Sequence, residues 1–496
     1  MPGPDVTVAI IGTGFGGIGM AARLKRAGLH DLVLLERAGG LGGTWRDNSY
    51  PGAACDVPSH LYCFSFAPNR GWSRSFSPQP EIWAYLRRVA ADEGVTGHIR
   101  YGQEVTAAHW DQAASLWRIE TPAGPLTARF LVSAAGPLSD PHVPAIPGLD
   151  RFAGTVFHSA TWDHDHDLTG RNVAVIGTGA SAIQFVPRIQ PVAGHVRVFQ
   201  RTPPWIIPRM DRQITRAEHW LFRHVPGTQR MARTGIYWGR EAYALGFVKN
   251  PRILAKVETL ALGHMRRQVS DPALRAKLTP HYRLGCKRIL ISNDYYPALT
   301  RPNVSLITGG ITGIGEKSVR TADGAEHAAD TIIFGTGFHV TDFPIGQRLF
   351  DAAGVSLAEH WTADPAAYRG TTMTGYPNLF VLTGPNTGLG HTSQVFMTEA
   401  QITYVTSALT HARRSGAIRI EVRPGAQAAY DAAVQRKMKR TVWVTGGCDS
   451  WYLDASGRNV TLWPDFTWVY AWQTRRFDPA SYDLASSPTV IEAPVG

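Results

Sequence analysis

Two glycine-rich turns, 165 positions apart, constrain the fold of this 496-residue chain more than any other feature. The first begins at Gly12, directly after the apolar run Thr7–Ile11, and the second begins at Gly177, after Val173–Ile176. Each turn is followed by apolar residues at helical spacing and then by a second short apolar run. The order strand, glycine turn, helix and strand is typical of a unit that binds a dinucleotide. The sequence therefore predicts an α/β fold with two Rossmann-like dinucleotide-binding domains.

The first turn has the spacing that lets a backbone approach a pyrophosphate. Gly12 permits the tight turn, Gly14 admits the phosphates, and Gly17 lets the helix pack closely on the strand. The N-terminus of that helix offers free N–H groups to the phosphates. Glu36 lies 24 positions after Gly12, where a carboxylate accepts hydrogen bonds from a free ribose diol. This unit is predicted to bind FAD or NAD, and it disfavours a 2′-phosphate.

The second turn differs at the position that reads the ribose. Ala182 takes the place of the third glycine, which the pattern allows. Arg201 lies 24 positions after Gly177, and Thr202 follows it. A guanidinium there suits a 2′-phosphate, so this unit is predicted to bind NADP(H) rather than NAD(H). Its candidate cofactor-binding residues are Gly177, Thr178, Gly179, Ser181, Gln184, Arg201 and Thr202.

The order of the other segments predicts a discontinuous first domain. Residues 1–145 are assigned to the first part of the FAD-binding domain, 146–340 to the NADP-binding domain, and 341–496 to the second part of the FAD-binding domain. Residues 212–283 have helical spacing with few turn signals, which predicts a helical insertion in the NADP domain. Further helices are predicted at 81–93, 397–414 and 426–441, and further strands at 105–110, 116–121, 126–134, 331–334 and 378–383.

Composition narrows the class of protein. The net charge is +11, but there is no dense run of Lys and Arg and no nucleic-acid-binding motif, so nucleic acid is not an expected partner. No run of about 20 apolar residues could span a bilayer, and the N-terminus lacks the pattern of a signal peptide. A cytoplasmic protein without membrane insertion is expected. The four cysteines form no CxxC pair, which predicts neither a disulfide framework nor a zinc site.

Three stretches remain open on spacing alone. Phe152–Asp163 follows neither a helical nor a strand period and is interpreted as a connector between the two nucleotide-binding units. Asp56 precedes Val-Pro-Ser, so a turn or N-cap carboxylate is the favoured interpretation. Lys287 and Arg288 are adjacent cations that are either a surface pair or need an anionic partner. The polar run 163–166 is interpreted as a solvated loop, and no metal is expected.

Two longer patterns resemble those of the type I Baeyer–Villiger monooxygenases. The pattern FxGxxxHxxxW followed by Pro or Asp is matched by Phe152, Gly154, His158, Trp162 and Asp163. A second family pattern is matched by Gly42, Gly43, Trp45, Tyr50, Pro51, Gly52 and Asp56. The resemblance covers essentially the whole chain. It departs from many members at His339, where they have Asp, and in the segment after Trp451.

The resemblance implies roles for individual residues. Arg288 is similar to the active-site arginine of the family, and Asp56 to the carboxylate that positions it and also contacts cofactor. Lys287 is similar to a clamp on the NADP 2′-phosphate, together with Arg201 and Thr202. Trp451 is similar to a mobile-loop tryptophan that meets the nicotinamide cofactor. The other cofactor-binding residues implied are Gly43, Thr44, Trp45, Tyr62 and Val105.

The resemblance also implies a reaction. The family uses NADPH, FAD and O2 to turn ketones into esters or lactones, through a C4a-peroxyflavin and a Criegee intermediate. The connector Phe152–Asp163 is interpreted as coupling the two domains, with His158 and Trp162 as anchors. An N- or S-oxygenating flavin monooxygenase and a non-catalytic redox sensor are the alternatives. A disulfide reductase is disfavoured because Cys55 and Cys63 lack the CxxxxC spacing.

Overall fold

The computed structural model describes residues 3–340, 343–363, 365–454 and 456–486. Its strands are β1 Val6–Ile11, β2 Leu32–Glu36, β3 Ile99–Tyr101, β4 Ala107–Asp111, β5 Leu116–Thr121, β6 Gly124–Ser133, β7 Thr155–His158, β8 Asn172–Ile176, β9 His195–Phe199, β10 Ile206–Ile207, β11 Leu290–Ile291, β12 Val304–Ile307, β13 Ile311–Ile314, β14 Ser318–Thr321, β15 Glu326–Ala328, β16 Thr331–Phe334, β17 Leu349–Phe350, β18 Leu379–Val381, β19 Arg419–Val422 and β20 Tyr482–Ala485. Its α-helices are α1 Phe15–Arg26, α2 Thr44–Asp47, α3 Gln79–Asp92, α4 Ala182–Ile189, α5 Arg216–His224, α6 Thr228–Ala244, α7 Leu254–Gln268, α8 Pro272–Leu278, α9 Tyr295–Leu299, α10 Leu357–Ala363, α11 Gln394–Ser415, α12 Pro424–Met438, α13 Val442–Thr445 and α14 Thr467–Gln473.

The larger sheet is built around the first glycine turn. Its order is β17-β4-β5-β6-β1-β2-β3, and β18 also pairs with β6. Strands β6, β1, β2 and β3 are parallel, whereas β4, β5 and β6 form an antiparallel meander. Val8, Ala9 and Ile10 of β1 are all buried, as expected for a central parallel strand covered on both faces. Strands β17 and β18 come from beyond residue 341 and lie in this sheet, while the exact domain boundaries stay a prediction.

The smaller parallel sheet is built around the second turn. Its five strands have the order β12-β9-β8-β16-β7, and every pair is parallel. The unit β8–α4–β9 has the predicted strand–helix–strand order, and its helix buries Ile183, Val186 and Ile189 against this sheet. The two Rossmann-like units of the predicted α/β fold are therefore confirmed. The predicted helices 81–93, 397–414 and 426–441 correspond to α3, α11 and α12, with ends shifted by at most three residues.

The prediction that Phe152–Asp163 contains no strand is wrong. Its residues Thr155–His158 form β7, the edge strand of the smaller sheet, in which His158 is the register partner of Phe334. A short 3-10 turn, Ser159–Thr161, follows. The strand has only four residues, with apolar side chains at two successive positions, so the sequence carries no period. Pairing with β16, far along the chain, creates the strand, and such a partner is invisible to a local pattern.

Residues 212–283 are helical as predicted, with the four α-helices α5 to α8, and these helices pack on both units. Ile214 and Phe222 are buried in the core of the first unit, beside α1 and β1. Arg233 of α6 donates to the carbonyl oxygens of His60 (2.9 Å) and Cys63 (2.9 Å) in that unit. By contrast, residues of α7 and α8 pack in the core of the second unit, among them Met265 and Leu278. A π-helical turn, Leu245–Lys249, joins the two halves.

The expectation that the cysteines form no disulfide is wrong for one pair. Cys286 and Cys448 are bonded, although they are 162 residues apart, and Cys55 and Cys63 are buried free thiols. Cysteine spacing identifies compact frameworks and metal sites, but it carries no information about two cysteines that only the tertiary fold brings together. Among the described residues, no group of three or more His, Cys, Asp or Glu side chains is arranged to hold a metal ion. Within the same residues, no helix has the length and apolar character needed to cross a membrane.

Candidate active site

The glycine turns have the geometry that their spacing predicts. Gly12 has a φ of +94°, and a Cβ there would lie 2.9 Å from the carbonyl oxygen of Ala134, at the end of β6. A Cβ on Gly17 would lie 1.9 Å from the carbonyl oxygen of Gly12. In the second unit, a Cβ on Gly177 would lie 2.4 Å from the carbonyl oxygen of Gly335. Each turn is therefore packed so closely against neighbouring backbone that a side chain would not fit at these positions.

A second glycine segment closes on the N-terminus of α1. Gly14 is the residue before α1, and a Cβ on Gly43 would lie 3.2 Å from its Cα atom. Gly42 and Gly43, in the turn that leads to α2, both have positive φ angles. Helix N-termini bind anions through free N–H groups, and here two backbones without side chains border that position. This is a cradle that fits a pyrophosphate and that Cβ atoms would fill.

The Glu36 carboxylate is fixed at the end of β2. It is buried and accepts from the amide nitrogen (3.1 Å) and the hydroxyl of Thr13 through Oε2. Its Oε1 accepts from the amide of Ala38 (2.9 Å) and from Nη1 of Arg46 (3.0 Å). These contacts hold the carboxylate beside the first glycine turn. Its bond to a ribose diol stays a prediction.

Of the other residues predicted for the first unit, Trp45 and Tyr62 are in contact, whereas Val105 lies apart from them. Trp45 and Tyr62 are together: the indole Nε1 donates to the Tyr62 hydroxyl (3.0 Å), and their rings meet edge to face. Thr44 begins α2 and donates from Oγ1 to the carbonyl oxygen of Leu138 (3.3 Å). Val105 is buried in the core on the opposite face of β1, so its side chain lies away from Trp45 and Tyr62. Its carbonyl oxygen accepts from Nη1 of Arg348 (2.9 Å).

Gln184 links the two units. Its Oε1 accepts from the Tyr50 hydroxyl (3.0 Å) and the Ala54 amide (3.3 Å), while its Nε2 donates to the Ala54 carbonyl oxygen (3.0 Å). These bonds tie the loop that leads to Asp56 to helix α4 of the second unit. A cavity of about 640 Å³, lined in part by Tyr50 and Gln184, lies between the units at this point.

Two cations of the second unit, Arg201 and Lys287, lie close enough for their charges to interact. Burial lowers the pKa of Lys287, the charge of Arg201 lowers it further, and Asp449 partly offsets these effects. Thr202 follows Arg201 in the chain, and its carbonyl oxygen accepts from Oγ1 of Thr178 (3.4 Å). Ser181 precedes α4 without capping it through its side chain. Close cations are stabilised by an anion, so Arg201 and Lys287 form a site that fits a phosphate.

Asp56 and Arg288 form an ion pair between the units. One carboxylate oxygen, Oδ2, accepts from both Nε (2.8 Å) and Nη2 (2.6 Å) of the guanidinium. The Arg288 side chain is 39% exposed and that of Asp56 24%, so the pair faces an open cleft. The Asp56 charge raises the pKa of Arg288 further above its ordinary value. Burial of Asp56 acts to raise the pKa of its carboxyl, but the charge of Arg288, the hydrogen bond from Arg288 and the charge of Arg240 together outweigh burial and lower that pKa overall. The arginine is therefore permanently charged and fixed.

Two residues at this pair were not found from the sequence. Arg240 of α6 is a second cation, after Arg288, whose charge helps to lower the pKa of Asp56. Tyr452 is buried, and burial together with Asp56 raises its pKa to about 12, against the opposing charge of Arg288. The sequence carries one signal for Arg240, since it continues the inward helical spacing of Arg233 and Tyr237. Trp451 is 49% exposed and stacks edge to face on Tyr452 at 4.4 Å.

The stretch Phe152–Asp163 anchors the edge of the second unit. The Trp162 ring packs on Phe157 (5.1 Å) and on Phe185 of α4 (5.3 Å). The buried His158 ring lies 5.7 Å from Phe338, and its Nδ1 accepts from the Ala160 amide (3.1 Å). Burial lowers the pKa of His158 to about 4, so it is neutral near pH 7.

The segment after β16 crosses the linker between the units. The amide of His339 donates to the carbonyl oxygen of Asp140 (3.0 Å), and the amide of His142 to that of Gly337 (2.9 Å). The His339 ring lies 4.9 Å from that of His142. The residue that departs from the family pattern is therefore at the crossing itself.

Two dinucleotide cradles that meet at a fixed arginine define the class of two-domain nucleotide-dependent oxidoreductases. The family model described as pyridine nucleotide-disulphide oxidoreductase matches residues 9–217. A Baeyer–Villiger monooxygenase of Streptomyces coelicolor is 54% identical over 98% of this chain and 94% of its own length. A crystal structure of OTEMO in complex with FAD and NADP aligns with a TM-score of 0.87 at 26% identity, covering 98% of this chain and all of that one. A structure of oxidized steroid monooxygenase bound to NADP aligns with a TM-score of 0.85 at 31% identity, covering 98% and 100% of the two chains. The chain belongs to the Baeyer–Villiger monooxygenases.

Proposed function

We propose that this protein is an FAD-, NADPH- and O2-dependent monooxygenase that inserts one oxygen atom beside a ketone carbonyl, giving an ester or lactone. The observation that carries the proposal is the Asp56–Arg288 ion pair, which faces the cleft between two dinucleotide cradles. Baeyer–Villiger chemistry develops negative charge on oxygen, and a preorganised cation is the group that stabilises it.

The first unit is assigned to FAD and the second to NADP(H). In the first, the Gly14–Gly43 cradle would hold the pyrophosphate, and Glu36 the ribose. In the second, Arg201 and Lys287 would hold the 2′-phosphate, with Thr202 next to Arg201 in the chain. When bound, the flavin supplies electron transfer from nicotinamide and the activation of O2.

The residues of the chain provide a positive charge, hold that charge in position and shield the cofactor from water. Arg288 keeps its proton throughout, because its pKa is raised by Asp56. Both hydrogen bonds to Asp56 use Nε and Nη2, so the guanidinium is held while Nη1 makes no contact with that carboxylate. Asp56 thereby holds the cation at the cleft through a charge-assisted pair of hydrogen bonds. Trp451 and Tyr452 lie on the loop that would cover the cofactor and exclude water.

The overall reaction is tested by product analysis with a panel of linear, aryl, cyclic and steroid ketones and one sulfide. An ester or lactone that carries one atom from ¹⁸O2, formed with NADPH consumption, is the expected result. A sulfoxide without any ester would instead favour an S-oxygenating enzyme. Oxygen consumption that no ketone changes would favour a redox sensor.

Arg201→Ala is expected to weaken the preference for NADPH over NADH by about 10- to 100-fold, since a hydrogen bond to a charged group contributes ~1.5–3 kcal/mol. The ratio of kcat/KM for the two nucleotides measures this. Arg171→Ala is the matched control, because Arg171 directly precedes β8 and so lies at the opposite end of the strands of the same sheet from Arg201, which follows β9. An unchanged ratio in Arg201→Ala would mean that another residue reads the phosphate.

His158→Ala is expected to destabilise the protein by about 2 kcal/mol, because it removes a buried ring. It should also lower the ester formed per NADPH consumed if the edge strand couples the units.

The wild-type protein should lose up to about 3 kcal/mol of stability as pH falls from 6.5 to 4, because the unfolded state then binds a proton that neutral His158 does not. Urea unfolding at several pH values measures the destabilisation and the pH dependence of stability. The His158→Ala variant should lose the part of the pH dependence that comes from His158.

The exposed His30→Ala is the control for this variant. If His158→Ala retained both coupling and NADP⁺ affinity, the stretch Phe152–Asp163 would be a family marker without a role in catalysis.

A further inference from the structure

The disulfide joins two segments of the active site. Cys286 directly precedes Lys287 and Arg288, and Cys448 lies three residues before Trp451. A covalent bond therefore connects the segment that carries two cations of the site with the loop that carries the exposed tryptophan.

The two segments also approach each other closely beside the bond. The Arg283 amide donates to the carbonyl oxygen of Gly446 (3.0 Å). A Cβ on Gly446 would lie 2.7 Å from the Cβ of Cys286, so only glycine admits this approach. Further along the same loop, Asp449 acts electrostatically on Lys287, and buried Tyr452 on Arg288. The loop, referred to below as the 446–452 loop, thus lies against both cations.

The two sulfur atoms differ in access. Cys286 is fully buried, whereas Cys448 is partly exposed. A thiolate from solution therefore reaches the sulfur of Cys448 first, and Cys286 is the leaving group. The other two cysteines do not compete, because burial raises the pKa of the Cys55 and Cys63 thiols and keeps them unreactive.

We propose that Cys286–Cys448 is a thiol–disulfide exchange site that controls how firmly the 446–452 loop is held against Lys287 and Arg288. The inference rests on the proposed function, in which this loop covers NADP(H). The sequence predicts a cytoplasmic protein, and disulfides in such a reducing compartment are usually transient and redox-sensing. A disulfide beside the cofactor cations has the position for that task.

The exchange is balanced with small thiols and disulfides as co-reactants. One thiol, RSH, attacks the Cys448 sulfur, forms a mixed disulfide and releases Cys286 as a thiol. A second RSH then releases Cys448 and leaves as RSSR. Two electrons and two protons pass to the protein, and RSSR reverses the process. In the reduced protein, the loop keeps its packing and the bond from Arg283, but it loses its covalent restraint.

Peptide mapping tests the bond itself. The intact protein is treated with oxidised glutathione or with dithiothreitol, alkylated, digested without reductant and analysed by mass spectrometry. We expect a cross-linked peptide pair containing Cys286 and Cys448 after oxidation, and two alkylated peptides after reduction. Free alkylation of both residues after oxidation would overturn the proposal.

NADP⁺ affinity tests the effect of the bond and does not depend on ketone turnover. Reduction of the wild-type protein is expected to weaken NADP⁺ binding by about 5-fold or more, the lower end of typical couplings between sites. Cys448→Ser should bind like the reduced wild type, with no further response to dithiothreitol. Cys63→Ser is the control, because it removes a buried thiol outside the pair and should keep the wild-type response.

Coupling provides a second readout, the ester formed per NADPH consumed. It is expected to fall in the reduced protein and in Cys448→Ser while the rate of NADPH oxidation persists. Equal NADP⁺ affinity and equal coupling in the oxidised and reduced proteins would overturn the proposal. An inactive protein that still changes NADP⁺ affinity on reduction would contradict the proposed function and leave this inference supported.

Discussion

Arg288→Ala is expected to lower the rate of ester formation by about 10²–10³-fold, the typical cost of removing one preorganised donor to a developing oxyanion. Reduction of the bound flavin by NADPH should persist, since Arg288 is not among the residues assigned to the pyrophosphates or the 2′-phosphate. Anaerobic stopped-flow absorbance measures the reduction, and product analysis measures the ester. The two measurements separate loss of chemistry from loss of cofactor.

Arg320→Ala is the matched control. Arg320 forms a similar Nε–carboxylate pair with Glu326 at 2.8 Å, but both side chains are more than half exposed on a hairpin away from the cleft. Its removal should leave turnover within experimental error, because exposed ion pairs contribute little. Near-normal ester formation by Arg288→Ala would remove this residue from the mechanism.

Asp56→Asn should lower the rate of ester formation, as Arg288→Ala does, but by a smaller factor, because the guanidinium remains while its position is less fixed.

The lowered pKa of Asp56 means that the ion pair persists until the pH falls below the ordinary range of an aspartate. Acid inactivation above that range has to come from other groups, such as the buried His158 and His60, whose burial lowers each pKa to about 4.

Gly17→Ala has the second large expected effect. The added Cβ would lie 1.9 Å from the carbonyl oxygen of Gly12, and neither backbone can move without opening the first cradle. Overpacking of this kind costs about 3 kcal/mol. The variant should be isolated largely without flavin and with a lower unfolding midpoint, measured by the ratio of flavin absorbance to protein absorbance and by a thermal melt.

Gly235→Ala is the control for that variant. Gly235 lies within α6, and a Cβ there would meet no atom within 4 Å. A glycine-to-alanine change in an exposed helix stabilises by up to about 1 kcal/mol, so flavin content should be unchanged. Full flavin content in Gly17→Ala would show that α1 shifts at little cost and that the close packing at this turn is dispensable.

The parts of the fold that the sequence predicted are those that local spacing determines. A glycine turn between a strand and a helix specifies its own geometry, so the positions of Gly12, Gly17 and Gly177 follow from the pattern. The long amphipathic helices of the insertion were found for the same reason. The ends of α3, α11 and α12 differ from the predicted ranges by at most three residues, because capping and packing, rather than period, decide where a helix stops.

The parts that were missed depend on pairing across the chain. Asp56 and Arg288 are 232 residues apart, and spacing alone favoured a turn carboxylate at Asp56. Only the family resemblance implied their contact, which the structure contains. Neither spacing nor resemblance indicated the disulfide or the strand β7. Each of these is created by the approach of two distant segments, which leaves no mark in either segment by itself.

The division of the helical insertion has a mechanical consequence. Helices α5 and α6 are fastened to the first unit, and α7 and α8 to the second, so the insertion spans the joint between them. If one unit rotates against the other, each half of the insertion has to move with the unit on which it packs, because separating from that unit would expose buried apolar side chains. The displacement must then be absorbed in the π-helical turn Leu245–Lys249 and the short segment up to Ile253, where a few backbone dihedrals can change. We predict that this stretch acts as a hinge, and that a proline there would limit the opening of the cleft.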